Sequence, residues 1–426
     1  MKNSAYNLIL PLETENDEYI IFNTLSNSLL LADGELAGAI EDRRYDLLDE
    51  NTVSAMKAGG IFIEDETDEK MIFSKKYREI LDSSEELRFV IITTYKCNLA
   101  CSYCYEGRGT VVSEDMSPEI RDKAIEAIKK RALPTDCKSL KIMLFGGEPL
   151  MNPDTGLVIM KELSRWCGEN GLKYEGSMVT NGTLATRDLV DKFRPYISTV
   201  QLTLDGPKEY HDGIRVFKNG SGTYGKVMDA IKAFRSAGIF VALRIQVNEN
   251  NVGLLDTLKE ELDRNGIAAD KGIRQFPSLI KKYSEFCNMD CELLEDCDPA
   301  VLSKILEFEK NMKPSARFVP CHIYANMFVI DPAGDVYKCI TEVAQKENVL
   351  GTVKNGRLEL SGKYSDFMSR DPLGFPECAQ CSYLPVCGGG CPYMARKTNG
   401  TCHSSFCGMT KEVVEQKLTG YMEGRR

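Results

Sequence analysis

From Phe89 onward the chain repeats one pattern: a short apolar run, then a longer segment with apolar residues at helical spacing. The apolar runs are Phe89–Thr94, Lys141–Phe145, Tyr174–Thr180, Thr199–Leu204 and Phe240–Val247. The helical segments are Pro118–Lys130, Thr155–Trp166, Arg187–Phe193, Tyr224–Ala237 and Val252–Arg264. A helix between two strands carries the chain back across the sheet, so successive strands run parallel. The pattern predicts an α/β fold with a parallel sheet or a parallel barrel. Active sites of such folds sit at the C-terminal ends of the strands. Here each strand ends in a loop containing Gly, Asn, Cys or charged residues.

Cysteine is the second constraint. The 426 residues include 16 cysteines, none of them before Cys97. Cys97, Cys101 and Cys104 cluster, and eleven lie from Cys287 onward. No secretory signal opens the sequence, and no stretch approaches the ~20 apolar residues of a membrane helix. A cytoplasmic protein without membrane partners is expected. That compartment disfavours disulfides, and a chain of this size does not need them. So many cysteines then point to metal or redox chemistry. The net charge of −10 offers no global basic footprint for nucleic acid and is read as solubility.

Cys97, Cys101 and Cys104 stand in Cys-x3-Cys-x2-Cys spacing directly after the first strand. A structural zinc site wants four closed ligands, and no His stands near to complete one. Three thiolates suit an iron–sulfur cluster with one open iron. The run Cys97-Asn98-Leu99-Ala100-Cys101-Ser102-Tyr103-Cys104 resembles the signature of the radical S-adenosylmethionine (SAM) superfamily. That resemblance implies a [4Fe-4S] cluster whose open iron holds SAM, and a 5′-deoxyadenosyl radical released from it. Tyr103 matches the aromatic position that contacts adenine. Gly146-Gly147-Glu148-Pro149 ends the second strand and matches the family's Gly-Gly-Glu motif, which binds the methionyl ammonium. Glycines suit a backbone that must approach a ligand closely. Thr180-Asn181-Gly182 ends the third strand and Thr203-Leu204-Asp205-Gly206 the fourth. By resemblance, Thr180, Asn181, Thr203 and Asp205 fall among the ribose or methionine contacts, and Arg215 pairs with the methionine carboxylate. Taken singly, such residues are ordinarily turns and surface charges.

Later, Cys321 precedes a Gly334-x4-Cys339 element, followed by Cys378-x2-Cys381-x5-Cys387-x3-Cys391, Cys402 and Cys407. This resembles the SPASM domain, which binds two auxiliary [4Fe-4S] clusters. The resemblance assigns Cys321, Cys339 and Cys391 to the first auxiliary cluster. It assigns Cys378, Cys381 and Cys387 to the second, with Cys407 or Cys402 as fourth ligand. A zinc ribbon of Cys378, Cys381, Cys387 and Cys391 is the alternative. Some SPASM enzymes carry a further cysteine where this chain has Ser315, which implies an open iron on the first auxiliary cluster unless Cys287, Cys291 or Cys297 closes it. Cys137 and Cys167 lie beside βα elements and read as packing.

The N-terminal segment reads as a separate module. Tyr6–Leu10, Tyr19–Phe22 and Ser28–Leu31 are expected strands, and Asp49 or Asn51 caps a helix through Val53–Lys57. Gly59-Gly60 stops that helix before an extended Ile61–Ile63, and Lys75–Leu87 is expected as a helical linker. The module resembles the winged-helix element (RiPP recognition element) with which maturases of ribosomally made peptides hold a leader. The expected architecture is therefore a partial (β/α)6 radical SAM barrel between that module and a SPASM domain. The expected boundaries are 1–86, 87–265, a bridging region 266–320, and 321–426. Three [4Fe-4S] clusters, SAM, a precursor peptide with leader, and a reductant such as a flavodoxin or ferredoxin are implied. The implied activity is a peptide maturase installing a crosslink, with a Cys thioether favoured by Ser315. The alternatives are a formylglycine-generating sulfatase-maturing enzyme and a non-catalytic electron carrier. In the sulfatase branch an Asp base follows the cysteine of the Gly-x4-Cys element; here Ile340 and Thr341 follow Cys339.

Overall fold

The computed structural model describes residues 1–12, 16–106, 114–133, 136–279, 299–309, 313–321, 326–408 and 410–425. Cys287, Cys291 and Cys297 lie outside the described residues. The chain forms two compact units. One comprises Ser84–Phe308 and Asn326–Ser365, the other Met1–Ser83, Glu309–Ala325 and Asp366–Arg426.

The second unit opens with strands β1 (Lys2–Asn3), β2 (Asn7–Leu12), β3 (Glu18–Asn23) and β4 (Leu29–Asp33) and helices α1 (Gly34–Glu41) and α2 (Glu50–Ala58). β5 (Phe62–Ile63) pairs with β1, and α3 (Glu69–Asp82) follows. β2, β3 and β4 form an antiparallel sheet in that order. Asp49 caps α2, its carboxylate accepting from the Asn51 and Thr52 amides. The sheet is apolar on both faces because it buries both. Ile21 and Ala32 pack with Ile40, Met56 and Phe62 on one side. Leu8, Ile20 and Phe22 pack with Tyr383, Val414 and Leu418 on the other. The expected helical linker Lys75–Leu87 is displaced. α3 starts at Glu69, capped by Asp68, and Glu86 and Leu87 already belong to the next strand.

The first unit is the barrel. Its elements are β6 (Glu86–Ile92), α4 (Pro118–Ala132), β7 (Ser139–Phe145), α5 (Pro153–Glu169), β8 (Lys173–Val179), α6 (Arg187–Phe193), β9 (Thr199–Leu204), α7 (Lys208–Ile214), α8 (Tyr224–Ser236), β10 (Phe240–Val247), α9 (Leu255–Arg264), β11 (Ile273–Leu279) and α10 (Pro299–Glu309). β6 to β11 pair in parallel, each with the next in sequence. This is the six-stranded parallel arrangement expected. Side chains alternate along each strand. On β10, Val241, Leu243 and Ile245 join the core against the helices, which leaves Arg244 and Gln246 for the inner face. The helices start where the sequence says they should: Ser117 accepts from the Ile120 amide at the head of α4, with Pro118 at its first turn.

Two features depart from the expected boundaries. β11 lies beyond residue 265, yet its seven residues pair in register with β10. It carries Pro277 and weak alternation, which hid it. Proline is tolerated because β11 is the edge of the sheet. Beyond β6 the sheet continues through β12 (Met327–Ile330), parallel to β6, and then antiparallel β13 (Asp335–Tyr337), β14 (Gly351–Lys354) and β15 (Arg357–Leu360). Residues 326–365, including the Gly334-x4-Cys339 element, thus belong with the barrel. Of the remaining helices, α11 (Gly362–Met368), α12 (Leu384–Cys387), α13 (Pro392–Asn399) and α14 (Thr410–Glu423), the last three carry or flank the late cysteines.

Candidate functional site

The loop after β6 carries Cys97, Cys101 and Cys104. The Ala100 amide ties it to Val216 O at 2.8 Å, and within it the Cys104 amide donates to Cys101 O at 3.3 Å. The loop after β7 lies directly on it. Gly147 N donates to Thr94 O at 3.1 Å and Glu148 N to Lys96 O at 2.9 Å. A Cβ on Gly147 would stand 2.4 Å from Lys96 O, and one on Gly146, at φ +131°, 2.4 Å from Thr94 O. The glycines are therefore required by the backbone of the cysteine loop itself, a closer constraint than approach to a ligand.

Glu148 is fully buried. Its Oε1 accepts from Thr180 Oγ1 at 2.7 Å and from the Leu150 amide at 2.9 Å, and its Oε2 from the Asn181 amide at 2.7 Å. Burial raises its pKa against these donors. The carboxyl thus clamps the ends of β7 and β8 together, with acceptor capacity for one more donor. Asn181 is placed by the same clamp, and its amide nitrogen lies 3.9 Å from Cys97 Sγ.

At the end of β9, Asp205 is also fully buried. It accepts from the Tyr103 hydroxyl at 2.8 Å, and that hydroxyl accepts from Arg215 Nη1 at 2.5 Å. The Arg215 Nε is buried without a hydrogen-bond partner among the described residues. Beneath this relay, His211 Nδ1 accepts from the Asp205 amide at 3.2 Å, while Nε2 lies 3.0 Å from Thr223 Oγ1. Thr223 donates its proton to Arg215 O, so Nε2 must carry the imidazole proton. Burial pushes the His211 pKa down to about 3, so the ring stays neutral.

These residues surround a cavity of about 240 Å³. Its walls include the three cysteines with Tyr103, Gly146, Gly147, Thr180, Asn181, Thr203 and Arg215. Of the residues expected by resemblance, Glu148 and Asp205 stand behind the wall. The cavity also takes in residues the sequence reading missed, chiefly Glu106, Arg244, Gln246 and Leu279. Arg244 Nε and Gln246 Oε1 are buried without hydrogen-bond partners among the described residues. A signal existed for both: polar residues two apart near the end of an otherwise apolar strand. Ile340 and Thr341 line the same cavity.

The late cysteines divide differently. Cys378 is buried, and burial first, then the nearness of Cys387, Cys407 and Cys381, pushes its thiol up to about 12. Cys407 is thus among the cysteines near Cys378. No three sulfurs of this group, nor of Cys97, Cys101 and Cys104, lie within 4.8 Å of one another. Cys339 follows β13 in the barrel unit, its Sγ 2.9 Å from Thr341 Oγ1. Cys321 and Cys391 belong to the other unit.

Residues 91–262 match the Radical SAM superfamily model. A serine-type anaerobic sulfatase-maturating enzyme of Bacteroides thetaiotaomicron is 32% identical over 337 residues, covering 70% of this chain and 80% of that protein. The chain belongs to the radical SAM superfamily. The radical SAM cyclopropyl synthase TigE of Paramaledivibacter caminithermalis is 22% identical over 407 residues, 89% of this chain and 83% of TigE. Among solved structures, Streptococcus suis SuiB bound to its precursor peptide SuiA shares the fold, with TM-score 0.53 and 15% identity, over 95% of this chain and 98% of SuiB.

This radical SAM enzyme takes a [4Fe-4S] cluster and SAM, and its cavity fits them. Burial pushes the Cys97 thiol up to about 12, so a thiolate there needs a bound cation. The openings left at Arg215, Arg244 and Gln246 are those of a site built for a polar ligand. Among the described residues, no helix is long and apolar enough to cross a membrane.

Proposed function

We propose that this enzyme is a cytoplasmic peptide maturase that installs a crosslink, a Cys thioether, in a ribosomally made precursor peptide. The observation that carries the choice is the cavity wall at Ile340 and Thr341. At the positions where the sulfatase branch has its carboxylate base, this chain has an apolar side chain and a weak hydroxyl; the cavity's own carboxyl, Glu106, stands elsewhere on the lining. SuiB, solved with its precursor peptide SuiA, supports a peptide substrate.

Cys97, Cys101 and Cys104 would hold the cluster, which with SAM would supply a 5′-deoxyadenosyl radical for hydrogen abstraction. The protein's own part is positioning. Arg215 and Asn181 offer a guanidinium and an amide to the methionyl end of SAM. Arg244 donates to, and Gln246 accepts from, the peptide groups of the substrate. Phe145, Val179, Leu279 and Ile340 exclude water from the reacting carbon. Cys378, Cys381, Cys387 and Cys407 would hold an auxiliary cluster, and a flavodoxin or ferredoxin would supply electrons. The leader adds to the open edge of β4, where Leu31 is 41% exposed, and raises the effective concentration of the core peptide. The 32% identity to a sulfatase-maturating enzyme favours formylglycine formation as the second reading.

The test is to produce the enzyme anaerobically with a cysteine-containing peptide encoded beside its gene. The peptide is then weighed before and after thiol alkylation. A loss of two hydrogens with one cysteine protected is the expected result. The same loss with every cysteine alkylated makes the crosslink a carbon–carbon or carbon–oxygen bond. Oxidation of a Ser or Cys in a sulfatase-derived peptide, with no change in the encoded one, overturns the proposal for the second reading.

A further inference from the structure

Cys381, Cys387 and Cys407 lie near Cys378; Cys402 is the remaining late cysteine. Its surroundings are of another kind. The Cys402 thiol, a ring nitrogen of His403 and a carboxylate oxygen of Asp366 lie within 4.8 Å of one another. His403 Nε2 is 3.2 Å from Asp366 Oδ2. That nitrogen is buried, yet the alignment makes no hydrogen bond, and it has no other hydrogen-bond partner among the described residues. Cys402 is 5% exposed.

The backbone under these ligands is held on both sides. The buried Arg370 donates from Nε to Cys402 O at 2.7 Å and from Nη2 to Ser404 O at 2.9 Å. The His403 amide between them donates to Thr401 Oγ1 at 3.1 Å. The Cys–His pair is therefore fixed before any ligand arrives, while Asp366, on α11, is an exposed side chain free to close.

We propose that Asp366, Cys402 and His403 form a mononuclear zinc site separate from the iron–sulfur clusters. The donor set is one sulfur, one nitrogen and one oxygen, which suits a borderline divalent ion. Tetrahedral zinc, with bonds of about 2.0–2.3 Å, places its ligand atoms about 3–4 Å apart. A small side-chain rotation of Asp366 or His403 closes the observed spacing to that. Thiolate and carboxylate together balance the ion's charge, and water takes the fourth position. The site would tie α11 to the Thr401–Ser405 turn. It also explains a cysteine that the cluster assignment leaves over.

The experiment uses the full-length holoenzyme, purified anaerobically. Zinc and iron are counted by mass spectrometry, and the zinc environment is read by absorption at the zinc K edge, where iron is silent. About one zinc per chain is expected, with one sulfur near 2.3 Å and nitrogen or oxygen near 2.0 Å. His403→Gln, at a half-exposed position, is expected to lower zinc at least tenfold with iron and SAM cleavage unchanged. Cys402→Ser should do the same. The proposal is overturned if the holoenzyme holds no zinc after incubation with it and desalting. It is equally overturned if zinc survives in H403Q, if it sits among four sulfurs, or if C402S loses a cluster's iron. Because SAM cleavage is scored in the same samples, none of these outcomes bears on the maturase proposal.

Discussion

The two cysteine-rich regions of this enzyme are built on opposite plans. Around Cys97, Cys101 and Cys104, every side chain hangs from the end of a parallel strand or from a loop bonded to one. Gly147 and Glu148 reach the cysteine loop by backbone hydrogen bonds, and Glu148 ties β7 to β8. Around Cys378, Cys387 and Cys402 there is little regular structure. α12 has four residues, and Gly388, Gly389 and Gly390 all take positive φ. Order there comes from one buried cation. Arg370 donates to Cys402 O, Gly388 O, Gly389 O and Ser404 O, and its guanidinium faces the Phe375 ring at 4.8 Å. In the barrel the sheet positions the cysteines; in the other region a side chain does. The second plan is local and should fail locally.

The sharpest separation is by cysteine substitution. Cys101→Ala removes a ligand from the three-thiol loop and is expected to abolish 5′-deoxyadenosine formation, at least a thousandfold. That corresponds to about 4 kcal/mol of lost transition-state stabilisation. Cys378→Ala should leave SAM cleavage within about tenfold of the parent while removing the crosslinked peptide. Cleavage that persists in C101A, or disappears in C378A, breaks the division of labour.

How much of this was legible follows the same line. The barrel site could be read because strand ends are visible in a sequence: an apolar run stops, and the loop after it holds the chemistry. The cysteine loop, Gly146-Gly147, Asn181 and Thr203 stand at such strand ends, were singled out by their resemblance to radical SAM motifs, and all line one cavity. Glu148 and Asp205 were found, but not their placement behind the wall, since burial depth has no periodicity. β11 escaped because Pro277 looks like a break, and only the edge position makes it harmless. In the other region spacing gave the cysteines but not their partners. Cys402 and Cys407 look alike in sequence. Only folding shows that Cys407 lies near Cys378 and that Asp366 joins the adjacent pair Cys402 and His403. Nothing marks Arg370 among the 53 Lys and Arg residues, because its role rests on four carbonyls supplied by distant turns.

Arg370→Met tests that role. The substitution keeps the volume but leaves four carbonyls without their donor. Removing a buried charged donor costs about 3–5 kcal/mol. A lower unfolding temperature is expected, with iron lost from the late cysteines and the Cys97 loop still loaded. If Arg370→Met instead loses iron from both regions equally, the two plans are not independent.

Acid sensitivity gives a smaller contrast, confined to the barrel unit. His211 is buried and neutral, its pKa pushed down to about 3 chiefly by burial. In the unfolded chain it titrates near 6.5. A group with a depressed folded value favours folding fully above the unfolded value. That contribution is lost as pH falls below it, because the unfolded state takes up the proton first. Between pH 6.5 and 5 the loss amounts to about 2 kcal/mol. Glu148 and Asp205 act in the opposite sense, since burial raises both. They are present in parent and variant alike, so His211→Gln isolates the imidazole. The variant can still accept from the Asp205 amide and donate to Thr223. Its unfolding midpoint should therefore fall less steeply than the parent's from pH 6.5 to 5. Hydrogen exchange should place the parent's extra opening at β9 and α7, not at α13. Equal slopes in parent and variant would mean that His211 takes up its proton in the folded state, and that the relay beneath Arg215 is wetter than its burial implies.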